Sequence, residues 1–219
     1  MIEAVMFSGG IASWAAAKRA RQTSTDLLLL CADTGIEDDD WPRFVHEAAK
    51  NVGAPLEMLS DGRDVWQVFR DQRFLGNSRI DPCSRILKRE LLRSWVDRHK
   101  VSTVYFGISW DEAHRWPRIA EEWQPYSAKA PLMEEPYLFR QDLLDWAKRE
   151  RLAPPRLYAL GFPHNNCGGF CVKAGQAQFA LLLRVLPERY AYHEAREEEL
   201  RQYLGKDVAI LRDRKGGTT

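Results

Sequence analysis

An α/β fold, a doubly wound and mostly parallel five-stranded sheet with a helical C-terminal extension, is predicted by three observations. Short apolar runs alternate with helical stretches up to about Pro154. The second of these runs, "DLLLLCAD", is apolar almost throughout, as a strand covered on both faces must be. The first run, "IEAVMFS", enters an alanine-rich helix through two adjacent glycines.

Each element follows in order. "IEAVMFS" is the first strand and residues 12–22 the first helix. "DLLLLCAD" (26–33) is the second strand, "TGIEDDDWPRF" a loop, and 43–52 a helix with Pro42 near its first turn. "APLEMLS" (54–60) is the third strand, and 64–71 and 84–99 read as helices. "STVYFGI" (102–108) is the fourth strand. "AKAPLM" (128–133) is the fifth, kept to an edge or a strand end by Pro131. Residues 138–151 are amphipathic and helical, and 171–186 and 188–204 are the last helices. With no internal repeat or linker, the expectation is one domain over 1–211, its helical part 154–204 lying over the active face, and a disordered tail at 212–219.

Composition narrows the function. The 219 residues carry a formal net charge of +1, so no global field points to nucleic acid or membrane. No apolar run is long enough to span a bilayer, and the N-terminus begins a strand at once, so a cytoplasmic protein is expected. The four cysteines, Cys31, Cys83, Cys167 and Cys171, are expected to bind metal or catalyse rather than pair as disulfides. Cys31 sits inside an apolar strand and reads as core.

The segment "SGGIAS" places Ser8, Gly9, Gly10 and Ser13 between a strand and a helix. Consecutive amides, a helix N-terminus and two hydroxyls make a cradle for an oxyanion. It lacks the Gly-Lys-Ser/Thr ending of a Walker loop and the spacing of a dinucleotide fingerprint. After the second strand come Asp33, Thr34 and Gly35, followed by acids; a tight turn capping a helix is the plainer reading of that stretch. "DPCSRILKRELLRSWV" (81–96) sets Cys83 ahead of a basic helix. "YFGISWDEAHR" (105–115) carries Gly107, Glu112 and Arg115. Arg85, Lys88 and Arg115 are natural phosphate or sulfate ligands, or else surface cations.

These four segments together resemble the PP-loop ATP pyrophosphatase (adenine nucleotide alpha hydrolase) superfamily, and within it the phosphoadenosine phosphosulfate (PAPS) reductase-like family. "SGGIAS" resembles its SGGxDS loop, and "DTGIED" its DTG-x-E segment. The resemblance covers about residues 5–186 and implies a PP-loop sheet, ATP with Mg²⁺ as ligands, and Ser8, Gly9, Gly10, Ser13, Asp33, Thr34, Gly35, Arg85, Lys88 and Gly107 as nucleotide-binding residues. Ala12 stands where the loop motif has Asp, so Asp33, Glu37 or Asp111 is left to carry Mg²⁺, or the loop binds nucleotide without cleaving it.

In "GFPHNNCGGFCVKAGQAQ", Gly168 and Gly169 let the chain fold tightly between Cys167 and Cys171. If Cys171 begins a helix, both sulfurs face a helix N-terminus, which lowers thiol pKa. Cys83 is the natural third sulfur and His164 a fourth donor. Three cysteines suit a [4Fe–4S] cluster with one open iron; three with His164 suit zinc; free thiols in a glycine turn are the plain alternative. The family's reductases carry their catalytic cysteine near the C-terminus, but no cysteine follows Cys171 here. The resemblance therefore implies ATP-dependent adenylation of a substrate oxygen coupled to sulfur transfer to a nucleobase or nucleic acid, with Cys83, Cys167, Cys171 and Arg115 as catalytic residues. Its alternatives are a sulfonucleotide (PAPS or APS) reductase and a non-catalytic nucleotide-binding regulatory module. The partners expected are an adenine nucleotide, a tRNA or DNA acceptor, a sulfur donor or thioredoxin-like reductant, and a second copy of the chain. Trp110, Trp116, Trp123, Tyr126 and Tyr137 lie among Arg115, Arg118 and Lys129, a pattern that suits base stacking and equally an ordinary packed region.

Overall fold

The computed structural model describes residues 1–213 and 217–218. The chain forms two compact units woven from alternating stretches. The first comprises 1–32, 39–59 and 92–156, the second 33–38, 60–91 and 157–219.

The first unit holds the sheet. Its strands are β1 (Ile2–Met6), β2 (Leu27–Asp33), β3 (Leu56–Ser60), β4 (Val101–Phe106) and β5 (Ser127–Lys129), in spatial order β3-β2-β1-β4-β5. β1 runs parallel to both β2 and β4, with Val5 beside Leu29 on one side and Tyr105 on the other; β5 is parallel to β4. The order turns back at β1, so the carboxyl ends of β1 and β4 form a switch point of the kind where α/β sheets bind ligands. The fifth strand is shorter than 128–133 because Pro131 cannot donate to a ladder, and Pro131–Met133 turns into a 3₁₀ helix.

Helices α1 (Ile11–Arg21) and α2 (Trp41–Val52) belong to this unit. Seven of the eleven residues of α1 are buried, Ala15, Ala16, Ala17 and Ala20 among them: a helix packed this closely leaves room for little more than Cβ. Trp14 is fully buried, and its indole N–H donates to Asn51 at 3.0 Å. Ala4, Met6, Leu30, Val96, Val104 and Trp123 form a core on one face of the sheet.

The second unit is helical. It begins with α3 (Val65–Asp71) and the short α4 (Pro82–Ser84). Next in chain order come α5 (Leu91–Arg98), α6 (Trp116–Glu122) and α7 (Arg140–Arg149), which belong to the first unit from Leu92 on. The second unit resumes at Leu157 within α8 (Arg156–Ala159) and ends with α9 (Gln176–Val185) and α10 (Pro187–Leu204). Asp64 caps α3 through a reciprocal pair with Gln67, each bond 2.7 Å. The core gathers Trp66, Phe69, Leu87, Leu157, Phe162, Phe170, Leu182 and Leu200. The helix expected over 84–99 is interrupted: Arg85–Glu90 is a π-helix, a wider turn that recurs at functional sites. Of the tail 212–219, Arg212–Asp213 pairs antiparallel with Gly217–Thr218; residues 214–216 and 219 lie outside the described residues. Among the described residues no helix is long and apolar enough to cross a membrane.

Candidate functional site

The loop between β1 and α1 is built by backbone. Gly9 lies at φ +74, a conformation that favours glycine, and a Cβ there would fall 2.3 Å from the Trp41 indole nitrogen. Trp41 Nε1 donates to the carbonyl of Ser8 at 3.3 Å, so α2 clamps the turn from the side. Gly10 is the N-cap of α1 and offers no side chain to its first turn. Ser13 Oγ donates to the Gly10 carbonyl at 2.8 Å, and Ser8 Oγ donates to Ser13 Oγ at 3.3 Å. The two hydroxyls and the first turn of α1 are therefore held in one group.

Gly107 completes it from the end of β4. A Cβ on Gly107 would sit 2.7 Å from the amide nitrogen of Ser13 and 2.9 Å from the carbonyl carbon of Ala12. Only glycine lets β4 come this close to the start of α1. Ser8, Gly9, Gly10, Ser13 and Gly107, named from the sequence, thus come together in the first unit. Trp41 was not named; in the sequence it reads only as part of a loop leading into a helix.

The DTG segment builds a different structure. Asp33 Oδ1 accepts from the amide of Gly35 at 2.8 Å, an Asx turn with Gly35 at φ +74. Thr34 is buried, and its hydroxyl donates to Glu37 Oε1 at 2.8 Å. Glu37 is the hub of the second unit: it also takes a 3.3 Å ion pair from Lys88 and accepts from the backbone N–H of Cys167 at 2.8 Å. Arg85 faces Glu90 at 2.7 Å and Gln72 at 3.3 Å instead. Arg115, in the first unit, is half-exposed and paired with Glu112.

The cysteine loop has three left-handed residues in succession: Cys167 (φ 51), Gly168 (φ 58) and Gly169 (φ 86). A Cβ on Gly168 would meet the Arg189 guanidinium at 2.2 Å and the Ile36 carbonyl at 2.9 Å. Gln178 Nε2 donates to the Gly169 carbonyl at 2.8 Å. Phe170 stacks on His193, ring centroids 3.8 Å apart and 9° from parallel. His193 Nδ1 in turn accepts from Trp66 Nε1 at 3.0 Å. Amide, carbonyl and ring are each anchored, so the loop is rigid by construction.

Cys167 and Cys171 shift one another's titration in opposite directions. The neighbouring Cys171, together with burial, pushes the Cys167 pKa well above the ordinary thiol range. Cys167 in turn pulls the Cys171 pKa down to about 6, against burial and helped by the Lys173 amide and the Lys88 charge. The helix expected to begin at Cys171 begins at Gln176, so Cys171 does not lie at a helix N-terminus. Cys83 feels the charge of Cys171, but burial pushes its own thiol up to about 11. Burial works against the Lys88 ammonium, yet Glu37 and the two sulfurs outweigh it and hold it protonated.

The metal site expected at Cys83, Cys167, Cys171 and His164 is not shown. Among the described residues no group of three His, Cys, Asp or Glu side chains is placed to hold a metal ion, and His164 is exposed. Cys31 is fully buried in β2, as its apolar setting predicts.

No family model matches the chain. An uncharacterised protein of Methanocaldococcus jannaschii is 26% identical over 192 residues, 84% of this chain. The chain spans 44% of the length of that relative. PAPS reductase from Candida auris, solved as a phosphate complex, superimposes with a TM-score of 0.51 at 14% identity, covering 74% of this chain and 78% of the other. Strand order, the glycine turn after β1 and this likeness agree: the chain has a PP-loop type α/β fold, the architecture of PAPS reductase.

Proposed function

We propose that this chain is an ATP-dependent enzyme that adenylates an oxygen of its substrate and couples that activation to sulfur transfer, with a nucleobase or nucleic acid as acceptor. The observation that carries the reading is the backbone cradle of Ser8, Gly9, Gly10 and Ser13 with Gly107 pressed against it. Amides at a helix start favour phosphate, and a turn this crowded keeps side chains from intervening. In adenylation the substrate oxygen attacks the α-phosphorus and pyrophosphate leaves; the cradle's part is to hold the leaving group in line. Mg²⁺, arriving with ATP, neutralises phosphate charge. Of the carboxylates considered for it, Asp111 lies in the same unit as the cradle and accepts from Ser109. Asp33 and Glu37 are engaged by Gly35 and by Thr34, Lys88 and Cys167. Cys83, Cys167 and Cys171 are the residues of this chain suited to handle sulfur, and the Cys171 thiol is the one pulled below the ordinary range by Cys167, the Lys173 amide and the lysine charges.

Calorimetry with ATP and a pyrophosphate-release assay test the reading together. ATP binding is expected in the native chain and lost in Gly9→Val; unchanged binding in that variant overturns the cradle. Binding with no pyrophosphate release across nucleic-acid acceptors would make the chain a regulatory nucleotide module instead. The Cys171 thiolate favours one second reading, a sulfonucleotide reductase, whose signature is sulfite release from PAPS or APS with a thioredoxin-class reductant.

A further inference from the structure

The first unit holds a cavity that the cradle does not use. Its volume is about 850 Å³, and every residue lining it belongs to that unit. Small-molecule sites run from about 300 to 1,000 Å³. The cavity opens beside the last turn of α1, where Arg19 lies roughly 14 Å along the helix axis from Gly10, at about 1.5 Å per residue. Ser8, Gly9, Gly10, Ser13 and Gly107 are not among its lining residues. We propose that this cavity binds a zwitterionic ligand, an amino acid or short peptide with a free ammonium and a free carboxylate.

The cavity has a fixed floor and two fixed walls. Ala20, Tyr105 and Pro131 are buried and form the floor. The Tyr105 hydroxyl donates to Glu3 at 2.5 Å, so the polar atom of the floor is satisfied. One wall is the chain that follows β5. Arg19 donates to the carbonyls of Pro131 and Glu134 at 2.8 Å each and of Pro136 at 2.5 Å, which commits Arg19 to shaping the cavity. The other wall is Trp146, which packs on the fully buried Trp14 with ring centroids 5.0 Å apart. Its indole N–H donates to Glu150 at 3.3 Å, and Glu150 takes Lys18 at 3.0 Å.

Four lining charges are left for a ligand, and they are of both signs. Lys129, Arg149, Glu134 and Glu135 are in no ion pair among the described residues. Lys129 Nζ stands over the Tyr105 ring, 5.6 Å from its centroid, so its charge lies above the floor. A pure anion would be repelled by the glutamates, and a pure cation by the lysine and arginine. A ligand carrying both charges gives each set a partner, and its apolar part lies against Trp146 and Leu138. Nothing in this site depends on a nucleotide in the cradle.

Calorimetry on the full chain tests this, with the free L-amino acids and the dipeptide leucyl-leucine as probes. Saturable binding of at least one probe is expected. The N-acetyl and C-terminal amide forms of that probe should each bind weaker by about tenfold or more, because each leaves one set of charges without a partner. Lys129→Met and Glu134→Gln should each weaken binding severalfold and leave ATP binding at the native level. No binding at millimolar concentration, binding unchanged by acetylation and amidation, or full binding in both variants would each overturn the proposal. The modified probes are read on the native chain, so the result holds whether or not either variant folds. Absence of ATP binding in the native chain would sink the cradle and leave this site standing.

Discussion

The β1–α1 cradle and the cysteine loop are both glycine turns, yet they are made in opposite ways. The cradle is short-range: Ser8, Gly9, Gly10 and Ser13 are neighbours in sequence, and its one distant member, Gly107, contributes only the absence of a side chain. The cysteine loop is long-range. Its anchors, Glu37, Lys88, Gln178 and His193, come from four separate stretches, and its chemistry is that of side chains. A backbone site depends on shape alone. A side-chain site depends on charge, so it responds to pH and to single substitutions that leave the fold intact.

The sharpest way to break that contrast is at Gly107. Gly107→Ala puts a Cβ against main-chain atoms of α1 that cannot swing aside, and a loss of a few kcal/mol of stability is expected, read by urea unfolding together with ATP binding. A variant with native stability and native binding would show that β4 and α1 need not touch. Gly168→Ala should cost less, about 1–2 kcal/mol, because Arg189 can move even though φ 58 and the Ile36 carbonyl oppose it. If its anchors make the loop rigid, this variant also loses the reactive thiolate, seen as slower iodoacetamide labelling of Cys171.

A pure charge change comes next. Lys88→Met removes a cation that lowers the Cys171 pKa, so the pH midpoint of Cys171 labelling should rise from about 6, with ATP binding unchanged. An unmoved midpoint would mean that Lys88 has no part in the effect.

Acid acts on the same loop through His193. Burial and the nearby Arg189 pull its pKa down to about 3, so the folded chain keeps the ring neutral while the unfolded chain protonates it near 6.5. Stability present above pH 6.5 should therefore fall steadily as pH drops toward 3. His193→Gln should flatten that slope; an equally steep slope in the variant would place the acid sensitivity elsewhere. The smallest effect is expected at Arg115→Ala. Its ion pair with Glu112 is half-exposed and should be worth no more than ~0.5 kcal/mol, so any large loss of turnover there reports chemistry rather than folding.

The lesson for reading sequence lies in particular residues. Gly9 and Gly107 were legible because a glycine between strand and helix, or just past a strand end, has few other uses. Thr34 and Lys88 were legible as residues of interest, but their partner was not. Both were expected at a nucleotide, and the structure turns both toward Glu37. The cysteine pair was legible from its spacing, whereas the surroundings of Cys171 were not, since it lies five residues before α9 rather than at its start.

The sequence by itself determined the alternating elements, the parallel sheet and the place of the glycine turn after β1, because periodicity and backbone freedom are local properties. Only the tertiary structure decided the strand order, the clamp of Trp41 on Ser8, the hub at Glu37 and the anchoring of the cysteine loop by Glu37, Gln178 and His193. Those depend on which side chains meet across many tens of residues, and the energy of such meetings is set by burial and charge that no single stretch of chain contains.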